Sequence, residues 1–187
     1  MKRTFIAVPV KLSDKFRDFL QQIKNDLKDE SIKWVGINNM HITLAFFGST
    51  SPKQMRIIHE SLLQVVKQNK SFELWLKGLG VFPSVRKPRV LWVGIEKYEE
   101  LSKIRNDLWT SLINKGIIEQ EKKEFVPHLT IARLKWIENH QKLGRCLEGS
   151  KDSIFLETIV DNLFYFQSNL TPAGPIYEIL GKYPLIT

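Results

Sequence analysis

Two short segments of the sequence share a pattern in which a histidine is followed, two residues later, by a threonine. The segments are residues 41–45 (HITLA) and 128–132 (HLTIA), and their histidines lie 87 positions apart in a chain of 187 residues. On a β-strand, residues two apart project from the same face. Each segment is therefore predicted to present its histidine and threonine together, with apolar residues on the opposite face.

Two histidines presented in the same way could act as the acid and the base of one reaction, and displacement at phosphorus suits them. Because the unperturbed pKa of histidine is about 6.5, both protonation states are available near neutral pH. A neutral imidazole can remove a proton from attacking water, and an imidazolium can protonate the departing oxygen. The hydroxyls of Thr43 and Thr130 can donate hydrogen bonds to phosphate oxygens. The sequence alone leaves open which histidine is the acid.

Arg133 follows the second segment and could add charged hydrogen bonds to a phosphate. Strict strand alternation places Arg133 on the face opposite His128, so a β-bulge or the end of the strand is needed to bring it round. Phe46 occupies the matching position after the first segment. Phe46 or Phe47 could stack on a nucleobase, while core packing is expected for at least one of them.

The composition favours a globular protein with a polyanionic partner. Hydrophobic residues make up 43% of the chain, and the formal net charge is +8, which favours nucleic acid unless it reflects a solvated basic surface. Cys146 is the single cysteine, so a disulfide within the chain is impossible, as suits a reducing cytoplasm. No segment approaches the ~20 apolar residues needed to span a bilayer. We predict a cytoplasmic monomer without a membrane segment.

The sequence has none of the common motifs that indicate a metal-binding or cofactor-binding site. It has no His-Glu-x-x-His run, no cysteine cluster and no Gly-x-x-x-x-Gly-Lys loop. Each repeated segment pairs its histidine with threonine, which is a poor zinc ligand. We therefore predict no metal and no cofactor.

Apolar periodicity predicts a succession of strands and helices that repeats along the chain. Predicted strands cover 4–10, 33–35, 41–47, 72–76, 89–95, 128–135, 154–166 and 176–183. Helices are predicted after Ser13, from Ser51-Pro52, over 101–112 and more weakly over 137–147, and residues 171–175 (TPAGP) predict the last turn. Shifting the first half by 87 residues roughly reproduces the order of elements. We predict an α+β fold with two pseudo-symmetric antiparallel-sheet lobes, helices on the outer faces and a central cleft.

The predicted domain is single and spans 1–187, with halves of about 1–87 and 88–187. Arg86 and Arg89 lie in a basic turn between the halves and could bind RNA phosphates, or form an exposed turn without that role. Trp92 is expected in the core. The remaining histidines, His59 and His140, lack the repeated pattern and are expected to be non-catalytic.

The two segments and their flanks resemble the signatures of the two-histidine (2H) phosphoesterases. The resemblance rests on residues 39–48 (NMHITLAFFG) and 127–133 (PHLTIAR), and within that superfamily the chain is similar to the bacterial and archaeal RNA 2',3'-cyclic phosphodiesterases, also called 2'-5' RNA ligases. Residues 5–9 (FIAVP), 78–84 (GLGVFPS), 88–94 (PRVLWVG) and 170–177 (LTPAGPIY) extend it over essentially the whole chain.

The resemblance implies a bilobed α+β fold and hydrolysis of a terminal 2',3'-cyclic phosphate on RNA to a 2'-phosphate. By matching position, it implies that His41 is the proton donor and His128 the proton acceptor. It also implies that Thr43, Thr130 and Arg133 hold the phosphate.

Three alternatives stay open at this point. A 5'-hydroxyl could replace water in the same cleft, which gives reversible 2'-5' RNA ligation. The substrate could be a small nucleotide instead of RNA. A non-catalytic RNA-binding module fits least well, because binding alone does not require paired proton-transfer groups.

Overall fold

A computed structural model describes residues 1–119, 124–172 and 174–187 of the chain. Its nine strands are β1 (Lys2–Pro9), β2 (Ser31–Trp34), β3 (His41–Thr50), β4 (Phe72–Phe82), β5 (Val90–Glu96), β6 (His128–Trp136), β7 (Ile154–Val160), β8 (Asn162–Thr171) and β9 (Gly174–Pro184). Its four helices are α1 (Asp14–Asp26), α2 (Pro52–Val66), α3 (Glu99–Asn114) and α4 (His140–Ser150). The predicted α+β class is confirmed.

Side-chain caps begin three of the helices. Ser13 Oγ accepts a hydrogen bond from the backbone N–H of Phe16 at 3.2 Å before α1. Ser51 and Gln54 form a reciprocal capping box before α2, and Asn139 caps α4. Such caps satisfy backbone N–H groups that the first helical turn leaves without partners. The predicted starts after Ser13 and at Ser51-Pro52 are confirmed.

All nine strands belong to one hydrogen-bonded antiparallel sheet. The order is β7-β4-β5-β6-β3-β1-β8-β9, with β2 also paired to β6. β3 and β6 meet in the middle, where Ile42 pairs with Leu129. The order is symmetric about this contact, since β1 and β5 flank it, followed by β8 and β4, and then by the edge strands β9 and β7. The 87-residue shift relates Ile42 to Leu129, so the sheet keeps the repeat seen in the sequence.

The two groups of strands exchange members between the halves of the chain. β4 comes from the first half but pairs with β5 and β7 of the second half. β8 and β9 come from the second half but extend the sheet beyond β1. We predicted that each half of the chain forms one lobe. In the structure, each group of strands instead contains strands from both halves. The single β-rich stretch predicted over 154–166 is also divided into β7 and β8, with Asp161 between them.

The helices cover one face of the sheet and leave the other face to the repeated segments. Buried residues of all four helices form one apolar core with strand residues such as Ile42 and Leu129, both 0% exposed. A smaller cluster of Phe5, Ala7 and Phe166 lies apart from this core. Because strand residues alternate between faces, the motif histidines and threonines point away from the helices. Ala173, part of the turn predicted over 171–175, lies outside the described residues.

None of the helices in the described part of the chain is long and apolar enough to cross a membrane.

Candidate active site

Matching β-bulges shape the two motif strands. On β6, Leu91 pairs with Ala132 and Trp92 with Thr130, so Ile131 is the additional residue. On β3, Ile6 pairs with Ala45 and Ala7 with Thr43, which leaves Leu44 as the additional residue. A bulge gives two consecutive residues to one face and changes the alternation beyond it.

The bulges explain how the residues after each motif reach the site. Ile131 and Ala132 are both buried, and Arg133 after them is exposed. Arg133 therefore turns to the face of His128 and Thr130. Of the two possibilities predicted for Arg133, a bulge or the end of the strand, the structure shows a bulge, and the bulge on β3 does the same for Phe46.

The two motif histidines are anchored by the same hydrogen bond. His41 Nδ1–H donates to the carbonyl oxygen of Asn39 at 2.7 Å, and His128 Nδ1–H donates to the carbonyl oxygen of Val126 at 2.7 Å. A carbonyl oxygen can only accept, so the proton of each neutral ring belongs on Nδ1. In both rings Nε2 is then the nitrogen left to exchange protons with a ligand.

Aromatic side chains hold both rings in place. The His41 ring lies 4.9 Å from the Phe5 ring centroid and meets Tyr177 edge-on at 5.2 Å. The His128 ring meets Phe82 edge-on at 5.0 Å. Packing of this kind restricts ring rotation, so the direction of each Nε2 is set before a ligand binds.

Trp92 supports His128 from the site face of the sheet. Its ring centroid lies 5.0 Å from Phe82 and 6.1 Å from His128. A Cβ at Gly80 would lie 2.1 Å from the Trp92 ring, so the absence of a side chain there makes room for the indole. The prediction that Trp92 belongs to the core was wrong, because strand alternation places it on the face of His128.

The environment of His41 favours its neutral form. Burial lowers the pKa of His41, the bond to the Asn39 carbonyl raises it in part, and the charge of His128 lowers it further. Repulsion between the two rings disfavours a doubly protonated pair. The charge of one ring therefore acts on the protonation of the other, as the acid and the base of one reaction require.

A cavity of about 670 Å³ opens over the motif strands. His41, Thr43, Thr130 and Arg133 line it together, whereas His128 is not among its lining residues. The effect of His128 on the pKa of His41 still places the two rings within electrostatic reach of each other. None of the described residues that line the cavity is acidic, while Arg3, Lys33 and Arg133 are basic. An anionic ligand fits this charge.

Three cavity residues that matter to the site were not predicted from sequence. Arg3 of β1 places its guanidinium 4.5 Å from the Phe46 ring centroid. Burial raises the pKa of Tyr177, and the charges of Arg133 and Arg3 oppose this, so its hydroxyl is protonated and close to both guanidinium groups. Asn39 Nδ2 donates to the Pro175 carbonyl at 2.9 Å and so joins the His41 anchor to β9. Asn39 and Tyr177 lie in two segments that carry the family resemblance, 39–48 and 170–177, whereas no sequence pattern pointed to Arg3.

The other predicted contact residues lie away from the cavity. Phe47 packs against the helix-side core and meets Tyr165 edge-on at 6.3 Å. Arg86 and Arg89 are exposed in the turn after β4, and Arg89 donates to the Lys135 carbonyl at 3.2 Å. RNA contact by Arg86, Arg89 or Phe47 stays a prediction.

A second cavity, of about 480 Å³, lies between α1 and α4 and is lined by Cys146. Burial raises the pKa of the Cys146 thiol, which disfavours the thiolate. His59 Nδ1 lies 2.6 Å from the Tyr183 hydroxyl, and His140 Nδ1 lies 3.1 Å from the Val85 carbonyl. Within residues 1–119, 124–172 and 174–187, no group of three His, Cys, Asp or Glu side chains could hold a metal ion.

The sequence model of the 2'-5' RNA ligase superfamily matches residues 9–167 of the chain. The chain belongs to this superfamily. A Methanothermobacter thermautotrophicus relative is 34% identical over 186 residues, which cover 98% of both proteins. An Aquifex aeolicus relative is 36% identical over 154 residues, or 82% of this chain and 81% of the relative. Both relatives are named RNA 2',3'-cyclic phosphodiesterase. The resemblance seen in the motifs is therefore confirmed.

Two solved structures share the fold of this chain. A crystal structure from Thermus thermophilus has a TM-score of 0.79 and 25% identity, covering 98% of this chain and 97% of that one. Escherichia coli LigT in its apo form has a TM-score of 0.74 and 19% identity, covering 100% of this chain and 98% of that one. At that identity LigT shows a shared fold alone.

Proposed function

We propose that this member of the superfamily is an RNA 2',3'-cyclic phosphodiesterase that hydrolyses the cyclic end to a 2'-phosphate. The observation that carries the proposal is the matched anchoring of His41 and His128. Each ring donates through Nδ1 to a carbonyl oxygen at 2.7 Å. Nε2 of each ring is therefore available for proton transfer with the substrate. The names of the relatives support the same reaction.

Two proton transfers complete the proposed reaction. His128 Nε2 takes a proton from water, whose oxygen forms a bond to the cyclic phosphorus. The bond from phosphorus to the 3'-oxygen breaks, and His41 Nε2–H protonates that oxygen as it leaves. The product carries a 2'-phosphate and a free 3'-hydroxyl, and exchange with solvent returns each ring to its starting state. The assignment of donor and acceptor rests on the family resemblance, because the two anchors are alike.

Substrate binding is expected to prepare His41 for its role as donor. In the free site, burial and the charge of His128 lower the pKa of His41. A phosphodiester anion beside the ring favours the imidazolium and opposes both effects. His41 would then gain its proton as the substrate arrives.

The phosphate is held by neutral and charged donors of both motif strands. Thr43 and Thr130 line the cavity beside His41 and can donate to the two non-bridging oxygens. Arg133 adds a guanidinium, and the protonated Tyr177 hydroxyl adds a further donor. Donors fixed by the sheet need little rearrangement as charge develops on the phosphate oxygens.

The remaining predictions concern what surrounds the reaction. We expect activity without a metal or cofactor, an RNA end as the substrate, a monomeric enzyme and a cytoplasmic location. Metal dependence is the most direct of these to measure, by assaying the enzyme in excess chelator.

The test is hydrolysis of an RNA ending in a 2',3'-cyclic phosphate, with phosphorus NMR of the product. A 2'-phosphomonoester is expected in the presence of chelator. A 3'-phosphate would reverse the leaving-group geometry, and complete loss of activity with chelator would exclude the metal-free mechanism. Full turnover by His41→Ala or His128→Ala would show that the site assignment is wrong.

Ligation is a second candidate, favoured by the superfamily to which the chain belongs. A 5'-hydroxyl would replace water as the nucleophile, and His128 would take its proton. Incubating one cyclic-ended RNA with a 5'-hydroxyl RNA and measuring both products separates the two activities. We expect hydrolysis to dominate, because water is far more concentrated than any second RNA end.

A further inference from the structure

We propose that Arg3 binds a second phosphate of the substrate, the 5'-phosphate of the nucleotide that carries the cyclic end. The inference rests on the proposed function, and it specifies the substrate as an RNA end in preference to a cyclic nucleoside that lacks this phosphate.

Arg3 is held in the cavity with its hydrogen-bond donors available. It lies two residues from Phe5 on β1, and both residues line the cavity. Its guanidinium lies over Phe46, with 4.5 Å from Cζ to the ring centroid. A cation–π contact of this kind does not use the N–H hydrogen bonds of the guanidinium, which can still bind an anion. Arg3 makes no ion pair with any residue that the structure describes.

The position of Arg3 along β1 separates it from the reacting phosphate. Ala7 of β1 pairs with Thr43, which is proposed to hold that phosphate. Arg3 lies four positions before Ala7, or about 13 Å along the strand at ~3.3 Å per residue. Phe46, under the guanidinium, is 51% exposed and lies at the outer rim of the cavity. Arg3 is therefore placed for an anion beyond the reacting group.

The charge of the cavity also exceeds what one cyclic phosphate requires. Such a phosphate is a diester with a single negative charge, and Arg133 with the two threonines can hold it. Arg3 and Lys33 remain in a lining that has no acidic member among its described residues. Arg3, Arg133 and Tyr177 line the same cavity, so both guanidinium groups can reach one ligand. A ligand with two phosphates satisfies both.

Phe46 has a defined part in this arrangement. It replaces, in the first motif, the arginine that the second motif has at position 133. The cation on that side of the cavity comes instead from the neighbouring strand, where Phe46 supports it. Phe46 is thus a positioning residue for Arg3 under this proposal.

The test compares adenosine 2',3'-cyclic phosphate with the same compound carrying a 5'-phosphate. For the unmodified enzyme we expect the 5'-phosphate to raise kcat/KM at least tenfold, mainly through KM, as a charge-assisted hydrogen-bond pair allows (roughly 10- to 100-fold). In Arg3→Gln this advantage should fall to within about twofold of unity. Phe46→Leu should reduce it partly, and Arg3→Lys should retain part of it.

Lys2→Gln provides the matched control, because Lys2 is exposed, adjacent in sequence and not part of the cavity lining. This variant should keep the full 5'-phosphate advantage. An unaltered ratio between the two substrates in Arg3→Gln would overturn the proposal, as would the absence of any 5'-phosphate preference in the unmodified enzyme. Failure of the proposed function gives a different result, since neither compound would then be hydrolysed.

Discussion

Ile42 on β3 pairs antiparallel with Leu129 on β6, and each is preceded by the histidine and followed by the threonine of its motif. Continuing this antiparallel register sets His41 across from Thr130 and Thr43 across from His128. In this register each histidine lies beside the threonine of the other strand. The site is a shared product of both motifs, which explains why neither motif alone is informative.

Removing either motif imidazole should stop catalysis without unfolding the protein. We expect His41→Ala and His128→Ala each to lower kcat by roughly 10²- to 10⁴-fold, the range of general acid or base catalysis. The double variant should lose little more, since the two groups act in one step. Rates on a cyclic-ended RNA and circular dichroism of each variant provide the measurement.

His140→Ala is the control for this pair, because His140 is exposed and lies outside the cavity lining. It should retain normal activity. Additive losses in the double variant would indicate that the two histidines act in separate steps.

Replacing a motif threonine with valine should weaken transition-state binding while preserving packing. Thr43→Val and Thr130→Val remove a hydroxyl that donates to a charged oxygen, a bond of about 1.5–3 kcal/mol. We expect kcat/KM to fall roughly 10- to 100-fold for each. Steady-state kinetics measure the loss, and Thr43→Ser, which keeps the hydroxyl, should recover most of the activity. Equal losses in the serine and valine variants would contradict the hydrogen-bonding role.

His41 should titrate below the ordinary range for histidine, because burial and the charge of His128 lower its pKa. Proton NMR of the imidazole signals would measure this directly. His128→Asn removes one of the lowering causes, so the His41 midpoint should rise. Inorganic phosphate should raise it as well, because an anion favours the imidazolium.

The lowered pKa of His41 also makes folding stability depend on pH. A group with a lowered pKa in the folded state binds its proton less tightly there than in the unfolded chain. The stabilisation that His41 contributes to the folded state is therefore complete above the ordinary histidine pKa. It is lost as the pH falls through the lowered pKa of the folded state. Denaturant unfolding of the unmodified protein and His41→Ala between neutral and acidic pH should show this difference. A His41 midpoint above the ordinary value would contradict both expectations.

Replacing Gly80 with alanine should disturb His128 indirectly, by displacing the Trp92 ring that packs beside it. Its Cβ would lie 2.1 Å from the Trp92 ring, too close for the indole to keep its place beside Phe82 and His128. We expect Gly80→Ala to destabilise the protein by about 1–3 kcal/mol, as overpacking does, and to lower kcat. Urea unfolding and kinetics on one cyclic-ended RNA would measure the two effects.

Gly144→Ala is the matched change, because nothing lies within 4 Å of its Cβ in α4. That variant should be neutral or more stable, since alanine favours helix by about 1 kcal/mol over glycine. Full activity in Gly80→Ala would show that Trp92 does not position His128.

Local pattern was enough to predict most of the strands and helices and the faces on which the motif residues lie. Alternation predicted that each histidine shares a face with its threonine. The position of Arg133 conflicted with alternation and so required a bulge or the end of the strand, and a bulge is present. Trp92 was misplaced because an apolar strand with a tryptophan does not say which face is buried. Gly80, opposite Trp92 on the neighbouring strand, makes room for the indole on the site face.

Residues brought to the site by strand pairing could not be predicted. Thr4 pairs with Gln167 and Ser168 pairs with Tyr177, so β8 lies between β1 and β9 and brings Tyr177 toward Arg3. These pairings join positions more than 160 residues apart in the case of Thr4 and Gln167. No local periodicity encodes such a register, which depends on the whole sheet.

The exchange of strands between the two groups has a consequence for how the chain can be divided. A break in the basic turn at residue 87 would leave β1 and β3 without β8 and β9, and β5 and β6 without β4. Each fragment would expose unpaired strand edges, which favour association with any complementary strand. The internal repeat suggests residue 87 as a boundary, yet neither fragment on its own would contain all the strands of its part of the sheet. Only the two fragments together could form the cavity.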